Sequence, residues 1–266
     1  MHKAGDSCTA IITFAQVKGG SGKTTAAMCT VAELVARGSS VAALDLDSNR
    51  PLGEFFRRVP ELQHVEVAVP TGERRVSALV RELAARHDNV VIDLMGAATN
   101  DTQVAMALAD LVIVPSQMSG IDLTNPSVNY VTRRRNGTQG NPASTRKRCH
   151  LFGVRGSKCG VETWRQAADA AEISNRTIAR GVLLARTSAG AVRPRVENFL
   201  REQYRRIGAH VLATAFGDRA AWKEMTYSAH IPHLHGRESN AAKNFISIFE
   251  EMMTLIQSAT ATVAAA

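Results

Sequence analysis

Residues 16–25 read QVKGGSGKTT, and this stretch is the strongest indication of the fold class. Three glycines and a serine lie between two lysines, at the end of the apolar run AIITFAQV at residues 10–17. Glycines this dense remove side chains where the backbone must approach a bound group closely. An apolar strand, a glycine-rich loop and a helix that opens with Lys-Thr-Thr together indicate a cradle for nucleotide phosphates.

The residue types of this loop suit phosphate chemistry. Backbone N–H groups from Gly20 to Thr24 would surround the β-phosphate, and the N-terminus of the following helix would add the positive end of its dipole. Lys23 would reach the β- and γ-phosphates, while the Thr24 hydroxyl would ligate Mg²⁺. The common pattern G-x-x-x-x-G-K-[ST] fails at its first position, where Val17 stands, and Lys18 follows instead.

Short apolar runs alternate with helix-like stretches along the rest of the chain. Runs rich in Val, Ile and Leu without polar alternation suit strands that are buried on both faces. The sequence therefore predicts an α/β fold, a doubly wound and mostly parallel sheet with helices on both faces, in a single domain over 1–266. Predicted strands lie at 41–44, 90–94, 111–114, 181–185 and, more weakly, 211–213; predicted helices lie at 24–37, 73–86, 99–108, 191–206 and 240–257.

The octapeptide KGGSGKTT resembles the deviant phosphate loop (deviant Walker A motif) of the ParA/MinD family of partition and positioning ATPases. Further family motifs are matched in order by LDLDSNRP at 44–51, VVIDL at 90–94, IVPSQ at 113–117 and VLLARTS at 182–188. The resemblance covers residues 10–127 well and 180–258 loosely. It implies a P-loop ATPase that binds ATP with Mg²⁺ through Gly19, Gly20, Ser21, Gly22, Lys23, Thr24, Thr25 and Arg186.

The resemblance also implies roles for side chains outside the loop. Lys18 would cross a dimer interface and contact the partner's phosphates, and Asp47 would orient the attacking water, so Lys18, Lys23 and Asp47 are the expected catalytic residues. Mg²⁺ would be held by Thr24, Asp45 and Asp93, with Asp93 acting through water. A helix cap or a solvated turn is the alternative for Asp45.

Positive charge is concentrated in one segment. The formal net charge is +8, and between Asp122 and Glu162 there is no acidic residue. Residues 131–160 show no helical or strand period, which is unusual for so long a stretch inside a compact domain. Three interpretations stay open for this basic segment: a DNA-binding insertion, a solvated disordered loop, or a garbled reading frame.

Composition bears on the partners of the chain. No stretch approaches the roughly 18 apolar residues of a membrane span. Glu250 and Glu251 near the C-terminus, with no basic residue after Lys243, argue against an anchor to anionic membranes. Arginines cluster near a predicted C-terminal helix, where they would bind duplex DNA nonspecifically or form an ordinary solvated face: Arg186, Arg193, Arg195, Arg201, Arg205 and Arg206.

Cysteine and histidine patterns give no firm metal site. The four cysteines show no CxxC spacing, so neither a zinc site nor a disulfide framework is indicated. His230, His233 and His235 lie within HIPHLHG, and we weigh a metal site against an exposed loop near the nucleotide base.

The expected function is that of a ParA-like ATPase. It would hydrolyse ATP slowly, form a homodimer on ATP, and act in partition or transfer of plasmid-like DNA through nonspecific binding of double-stranded DNA. A partner protein would stimulate hydrolysis, and the protein would be cytoplasmic and associated with the nucleoid. The alternative is an ATP-dependent positioning scaffold for a protein complex, without direct DNA binding.

Overall fold

The structure, a computed structural model, describes residues 9–16, 20–71, 75–96, 99–117, 160–187 and 195–264. Its strands are β1 (Ala10–Phe14), β2 (Val41–Asp45), β3 (Glu66–Ala68), β4 (Asn89–Asp93), β5 (Leu111–Gln117), β6 (Ala179–Thr187) and β7 (Phe216–Gly217). Its helices are α1 (Lys23–Ala36), α2 (Pro51–Arg58), α3 (Val76–Ala84), α4 (Asn100–Leu108), α5 (Gly160–Ser174), α6 (Arg195–Arg206), α7 (Ala220–Ser228), α8 (Pro232–His235) and α9 (Asn240–Ala264), with a 3-10 turn at Pro60–Leu62.

All of these strands run parallel in one sheet, in the order β3-β2-β4-β1-β5-β6-β7. β1 lies between β4 and β5, where Phe14 is in register with Asp93 on one side and with Ile113 on the other. In open α/β sheets, ligands bind beyond the carboxyl ends of strands where the strand order reverses. The glycine-rich loop follows β1 at such a point. The predicted fold class is confirmed.

Alternate residues of each central strand enter two different apolar layers. Ile12 and Phe14 of β1 pack in one layer with helices α1, α2, α7 and α9. Leu44 of β2 and Ile92 of β4 pack in the other layer with helices α3 to α6. Because both faces of the sheet are covered, its strands read as unbroken apolar runs in the sequence.

The predicted strand at 211–213 does not form, apart from an isolated bridge between Val211 and Val182. The Leu212 N–H still donates to the Val182 carbonyl at 3.0 Å, and side chains take the backbone groups that follow. Arg201 donates to the carbonyl oxygens of Leu212 and Ala213, at 2.6 and 3.1 Å, and Glu251 accepts from the N–H groups of residues 213 and 214. Backbone groups satisfied in this way need no strand partner.

Other boundaries differ from the prediction by a few residues. α9 extends to Ala264, past the predicted end at 257, and α6 begins at Arg195, with 191–194 outside the described residues.

The basic segment lies outside the described residues except for Gly160, the first residue of α5. No helix in the described ranges combines the length and apolar character needed to cross a bilayer.

Candidate nucleotide-binding site

The glycine-rich loop connects β1 to α1 in a backbone shape that glycine favours. Gly20 and Gly22 have φ angles of 72° and 94°, in the left-handed region. Gly22 is the N-cap of α1 and supplies no side-chain hydrogen bond, so the first N–H groups of α1 have no capping side chain from that residue. Such a helix start suits an anion. Lys18 and Gly19, two predicted site residues, lie outside the described residues.

Lys23 begins α1 with its side chain largely buried, at 8% relative exposure. Burial lowers the pKa of Lys23, and the charges of Asp93 and Asp47 act in the opposite direction. An ammonium group buried from solvent to this extent needs negatively charged partners. Phosphate oxygens beyond the adjacent helix start would supply them.

Asp93 and Thr24 meet where β4 and α1 approach each other. Thr24 Oγ1 donates a 2.7 Å hydrogen bond to Asp93 Oδ2, and Asp93 is fully buried. Burial raises the pKa of Asp93 to about 7, against the hydrogen bond from Thr24 and the charge of Lys23, while Asp45 and Asp47 raise it further. A buried carboxylate near other carboxylates favours a bound cation, and a hydroxyl beside it is a ligand type that Mg²⁺ accepts.

Asp45 ends β2 and organises the turn that follows. Its Oδ1 accepts from the Asp47 N–H at 3.1 Å, and its Oδ2 accepts from the Leu52 N–H at 2.9 Å, in the first turn of α2. Burial raises the pKa of Asp45, and these two backbone donors oppose that effect. The helix-capping alternative for Asp45 therefore describes its contacts in this structure, and its place among the Mg²⁺ ligands stays a prediction.

Asp47 lies in the same turn and is partly exposed. Its Oδ1 accepts from the Asn49 N–H at 2.9 Å. Beside it a cavity of about 340 Å³ opens next to the carboxylates. The lining includes polar and apolar side chains: Asp45, Leu46, Asp47, Ser48, Arg50, Val69, Pro70, Met95, Thr99, Asp101 and Thr102.

The ends of β5 and β6 reach the loop from the other side. Gln117 Nε2 donates to the carbonyl oxygen of Gly20, a contact that the sequence did not predict. Arg186 has a φ angle of 56°, in the left-handed region, and its Nη2 lies 3.7 Å from the place that a Cβ on Gly20 would occupy. The structure thus brings Arg186, a predicted nucleotide ligand, to the phosphate loop.

Two buried polar atoms in this region have no hydrogen-bond partner among the described residues: Ser21 Oγ in the loop and Asp93 Oδ1 beneath it. Buried polar groups are normally satisfied, so such atoms call for an additional ligand. A hydroxyl, glycine N–H groups and a lysine lie on the loop side, where they suit phosphate oxygens. The Asp93 carboxylate and Thr24 suit a cation. The residues present therefore fit a magnesium–nucleotide complex, and Thr25, half-buried in the first turn of α1, lies with them.

One of the three histidines has a different environment from the one predicted. His233 is fully buried, donates from Nε2 to the carbonyl oxygen of Cys29 at 2.9 Å, and stacks on Phe245 with ring centroids 5.0 Å apart. Burial lowers the pKa of His233 to about 4, so the ring is neutral at physiological pH. The exposed-loop interpretation is wrong for His233, because the ring packs into the core between α1 and α9.

His230 and His235 stack on each other, and His235 Nε2 lies 3.3 Å from Glu61. Within the described part of the chain, no group of three or more His, Cys, Asp or Glu side chains is placed to hold a metal ion.

The arginines of α6 differ in exposure. Arg201 is 2% exposed and makes a 2.8 Å ion pair with the buried Glu197, so it is a structural residue and not a surface cation. Arg195, Arg205 and Arg206 are exposed. Arg206 forms a 3.1 Å surface pair with Glu202, and Arg193 lies outside the described residues.

Sequence comparison matches the N-terminal half of the chain. The family model described as VirC1 protein matches residues 9–132. The chain is 28% identical over 114 residues to the protein ParA of Rhizobium radiobacter, which covers 43% of this chain and 51% of that protein. It is 27% identical over 125 residues to the protein virC1 of Rhizobium rhizogenes, covering 45% and 54% respectively. The chain thus spans about half the length of the curated relatives it matches.

Structure comparison extends the fold over most of the chain. Apo McdA from Cyanothece superposes with a TM-score of 0.65 at 14% identity, covering 91% of this chain and 99% of that one. A McdA variant solved as an ATP complex gives a TM-score of 0.62 at 13% identity, covering 93% and 98%. The septum site-determining protein MinD from Pyrococcus horikoshii, complexed with Mg-ADP, gives 0.61 at 16% identity, covering 94% and 98%. The sequence matches and the fold together confirm the resemblance of this chain to the ParA/MinD family.

Proposed function

We propose that this chain is a ParA-like ATPase that binds MgATP, dimerises on ATP, hydrolyses it slowly, and acts in partition or transfer of plasmid-like DNA. One observation carries the nucleotide chemistry. A glycine loop with the buried Lys23 adjoins a buried Asp93 that accepts from Thr24 and has one oxygen unpartnered among the described residues. The McdA–ATP and MinD–Mg-ADP complexes of the same fold support this assignment.

Each residue of the site has a defined task in this proposal. The loop N–H groups, Lys23 and Arg186 bind and orient the phosphates, and Thr24 and Asp93 hold Mg²⁺. Bound Mg²⁺ supplies positive charge that offsets the charge of the β- and γ-phosphate oxygens. Asp47, which lines the 340 Å³ cavity, holds and orients a water molecule through its carboxylate.

Dimerisation rests on Lys18. Within one subunit a second lysine at the head of the loop would duplicate Lys23, so we propose that Lys18 acts on the phosphates of a second subunit. We expect wild type and Asp47→Ala to be dimers in ATP and Mg²⁺, and Lys18→Ala to stay monomeric, by light scattering after size exclusion. A Lys18→Ala protein that dimerises and turns over normally would show that Lys18 has no role in the partner's site.

Nonspecific DNA binding rests on the exposed arginines of α6. Each lost phosphate contact should reduce the salt dependence of binding by about one counterion. We expect Arg195→Ala/Arg205→Ala to weaken ATP-dependent binding of duplex DNA about tenfold at low salt and to flatten its salt slope. Titration at several salt concentrations, with ATP and with ADP, measures both effects.

The control for this experiment is Arg57→Ala/Arg81→Ala, which removes the same charge from exposed positions on α2 and α3. A variant with residues 133–158 replaced by a glycine–serine linker tests the basic segment separately. Equal losses of DNA affinity in the α6 and control variants would indicate only an effect of net charge. A loss of DNA affinity confined to the linker variant would assign the DNA contact to the basic segment.

The second candidate is a positioning scaffold that contacts protein and not DNA. Its supporting observation is on the same helix, where Val196 and Phe199 are 49% and 46% exposed between the arginines. Apolar side chains of this size suit a protein contact better than phosphate binding. No ATP-dependent DNA binding by wild type at low salt would favour this candidate.

A further inference from the structure

A buried hydrogen-bonded cluster lies beneath the phosphate loop. Gln16, the last described residue before the loop, is 2% exposed; its Nε2 donates to the Pro115 carbonyl at 3.1 Å, and its Oε1 accepts from Thr163 Oγ1 at 3.1 Å. Tyr204, fully buried in α6, donates from its hydroxyl to Ser116 Oγ at 2.8 Å. The cluster therefore joins the ends of β1 and β5 to helices α5 and α6.

Gly160 brings the two halves of this cluster together. A Cβ at this position would lie 2.2 Å from the Tyr204 hydroxyl oxygen, 3.2 Å from Gln16 Nε2 and 3.3 Å from Ser116 Oγ. Contacts of 2.2 Å do not occur, so a side chain here would displace the tyrosine hydroxyl. The first residue of α5 is thus a glycine because the Tyr204 hydroxyl approaches its backbone closely.

Three consecutive residues at the end of β5 control the loop on both sides. The Pro115 carbonyl holds Gln16 before the loop, and the Gln117 side chain holds the Gly20 carbonyl inside it. Ser116, between them, accepts from Tyr204 and is fully buried. Packing alone would be served by phenylalanine at 204, whereas the hydroxyl adds a directional bond that fixes the orientation of this strand end.

We propose that Tyr204 is a positioning residue for the nucleotide: through Ser116 and the end of β5 it holds the phosphate loop in the shape that receives phosphates. The inference rests on the proposed nucleotide binding and adds a residue of α6, which belongs to no phosphate-binding motif. Gln16, Ser116 and Thr163 complete the same support.

The test is Tyr204→Phe, which keeps the ring and removes only the hydroxyl. Loss of the Tyr204–Ser116 hydrogen bond predicts that Mg-ADP binds about fivefold more weakly, with a correspondingly larger dissociation constant. Calorimetry measures this constant at a temperature where the variant is fully folded. The matched control is Thr30→Val, which removes another fully buried hydroxyl, whose one hydrogen bond among the described residues is to the Ala26 carbonyl of its own helix. We expect its Mg-ADP affinity to stay within about twofold of wild type, because that bond lies outside the cluster.

Coupling between the partners sharpens the test. If the effect passes through the Tyr204–Ser116 bond, the double variant Tyr204→Phe/Ser116→Ala should bind Mg-ADP no more weakly than the weaker-binding single variant. In Tyr204→Phe/Thr30→Val, by contrast, the changes in binding free energy of the two single variants should add. Gly160→Ala should also weaken binding. Tyr204→Phe should restore part of that loss, since the hydroxyl oxygen is the atom that the new Cβ meets.

A second measurement needs no nucleotide. In the nucleotide-free protein, Tyr204→Phe should speed hydrogen exchange of the amides at residues 20–24 and 113–117, and Thr30→Val should not. A lower melting temperature with unchanged Mg-ADP affinity and unchanged exchange would make Tyr204 an ordinary core residue and overturn the inference. If wild type binds no Mg-ADP, the proposed function fails, and the exchange rates still decide whether Tyr204 positions the loop.

Discussion

Lys23→Ala is expected to lose at least about 100-fold in affinity for ATP, because removing one partner of a buried, hydrogen-bonded charge pair costs roughly 2–5 kcal/mol of binding. It should also show no measurable turnover, because the same charge stabilises the transition state. The side chain is nearly buried at the start of α1, where solvent cannot replace it. Calorimetry with Mg-ATP and a phosphate-release assay measure the two effects.

The stability of the same variant separates a binding role from a folding role. Burial lowers the pKa of Lys23, so the ammonium is held at a cost in the nucleotide-free protein. Lys23→Ala should therefore unfold at the same temperature as wild type or higher without nucleotide, and should lose the stabilisation that ADP gives wild type.

The matched control is Lys223→Ala, which removes an exposed lysine paired with Asp218 on the surface. This variant should change neither the affinity for ATP nor the turnover. Intact turnover in Lys23→Ala would show that the loop does not bind phosphates as assigned.

The parts of the site that the sequence predicted are those fixed by local chemistry. Gly20 and Gly22 adopt left-handed conformations that only glycine accepts easily, and α1 begins directly after them, at Lys23. Asp93 ends an unbroken apolar run, and parallel register places it beside Phe14, the last residue of β1. Each of these features depends on a few consecutive residues and on strand burial, which leave clear patterns in a sequence.

The parts that the sequence did not predict depend on contacts between distant residues. Arg201 reads as one more arginine of a basic helix, yet it is buried because Glu197 and two carbonyl groups near residue 212 satisfy it. His233 reads as a loop histidine, yet the Cys29 carbonyl and Phe245 hold it in the core. The hydroxyl of Tyr204 bonds to a residue 88 positions away. No local period encodes such pairs.

Asp93→Asn is expected to remove the effect of Mg²⁺ on nucleotide binding and to reduce turnover about 100-fold or more, because the amide lacks the charge that holds the cation. Asparagine keeps the size of the side chain and an oxygen that accepts from Thr24 Oγ1. Calorimetry with ATP, in Mg²⁺ and in EDTA, measures the first effect. The control is Asp169→Asn, on an exposed position of α5, which should behave as wild type.

The same substitution should stabilise the nucleotide-free protein at alkaline pH, and this result ties the carboxylate to function. Burial raises the pKa of Asp93 to about 7, above the ordinary value of about 4. Between these values the folded protein binds more protons than the unfolded chain, so the stability that Asp93 contributes is complete below about pH 4 and is lost as pH rises through 7. The loss amounts to at most about 4 kcal/mol.

In EDTA, the free energy of unfolding measured in urea should therefore fall more steeply from pH 5.5 to pH 8 for wild type than for Asp93→Asn. At pH 8 the variant should be the more stable of the two. With Mg-ADP the order should reverse, because the bound cation compensates the charge in wild type alone. An aspartate that lowers the stability of the empty protein and raises that of the loaded one is retained for the ligand and not for the fold. Equal pH slopes in EDTA, or a variant less stable than wild type at pH 8, would contradict this explanation of Asp93.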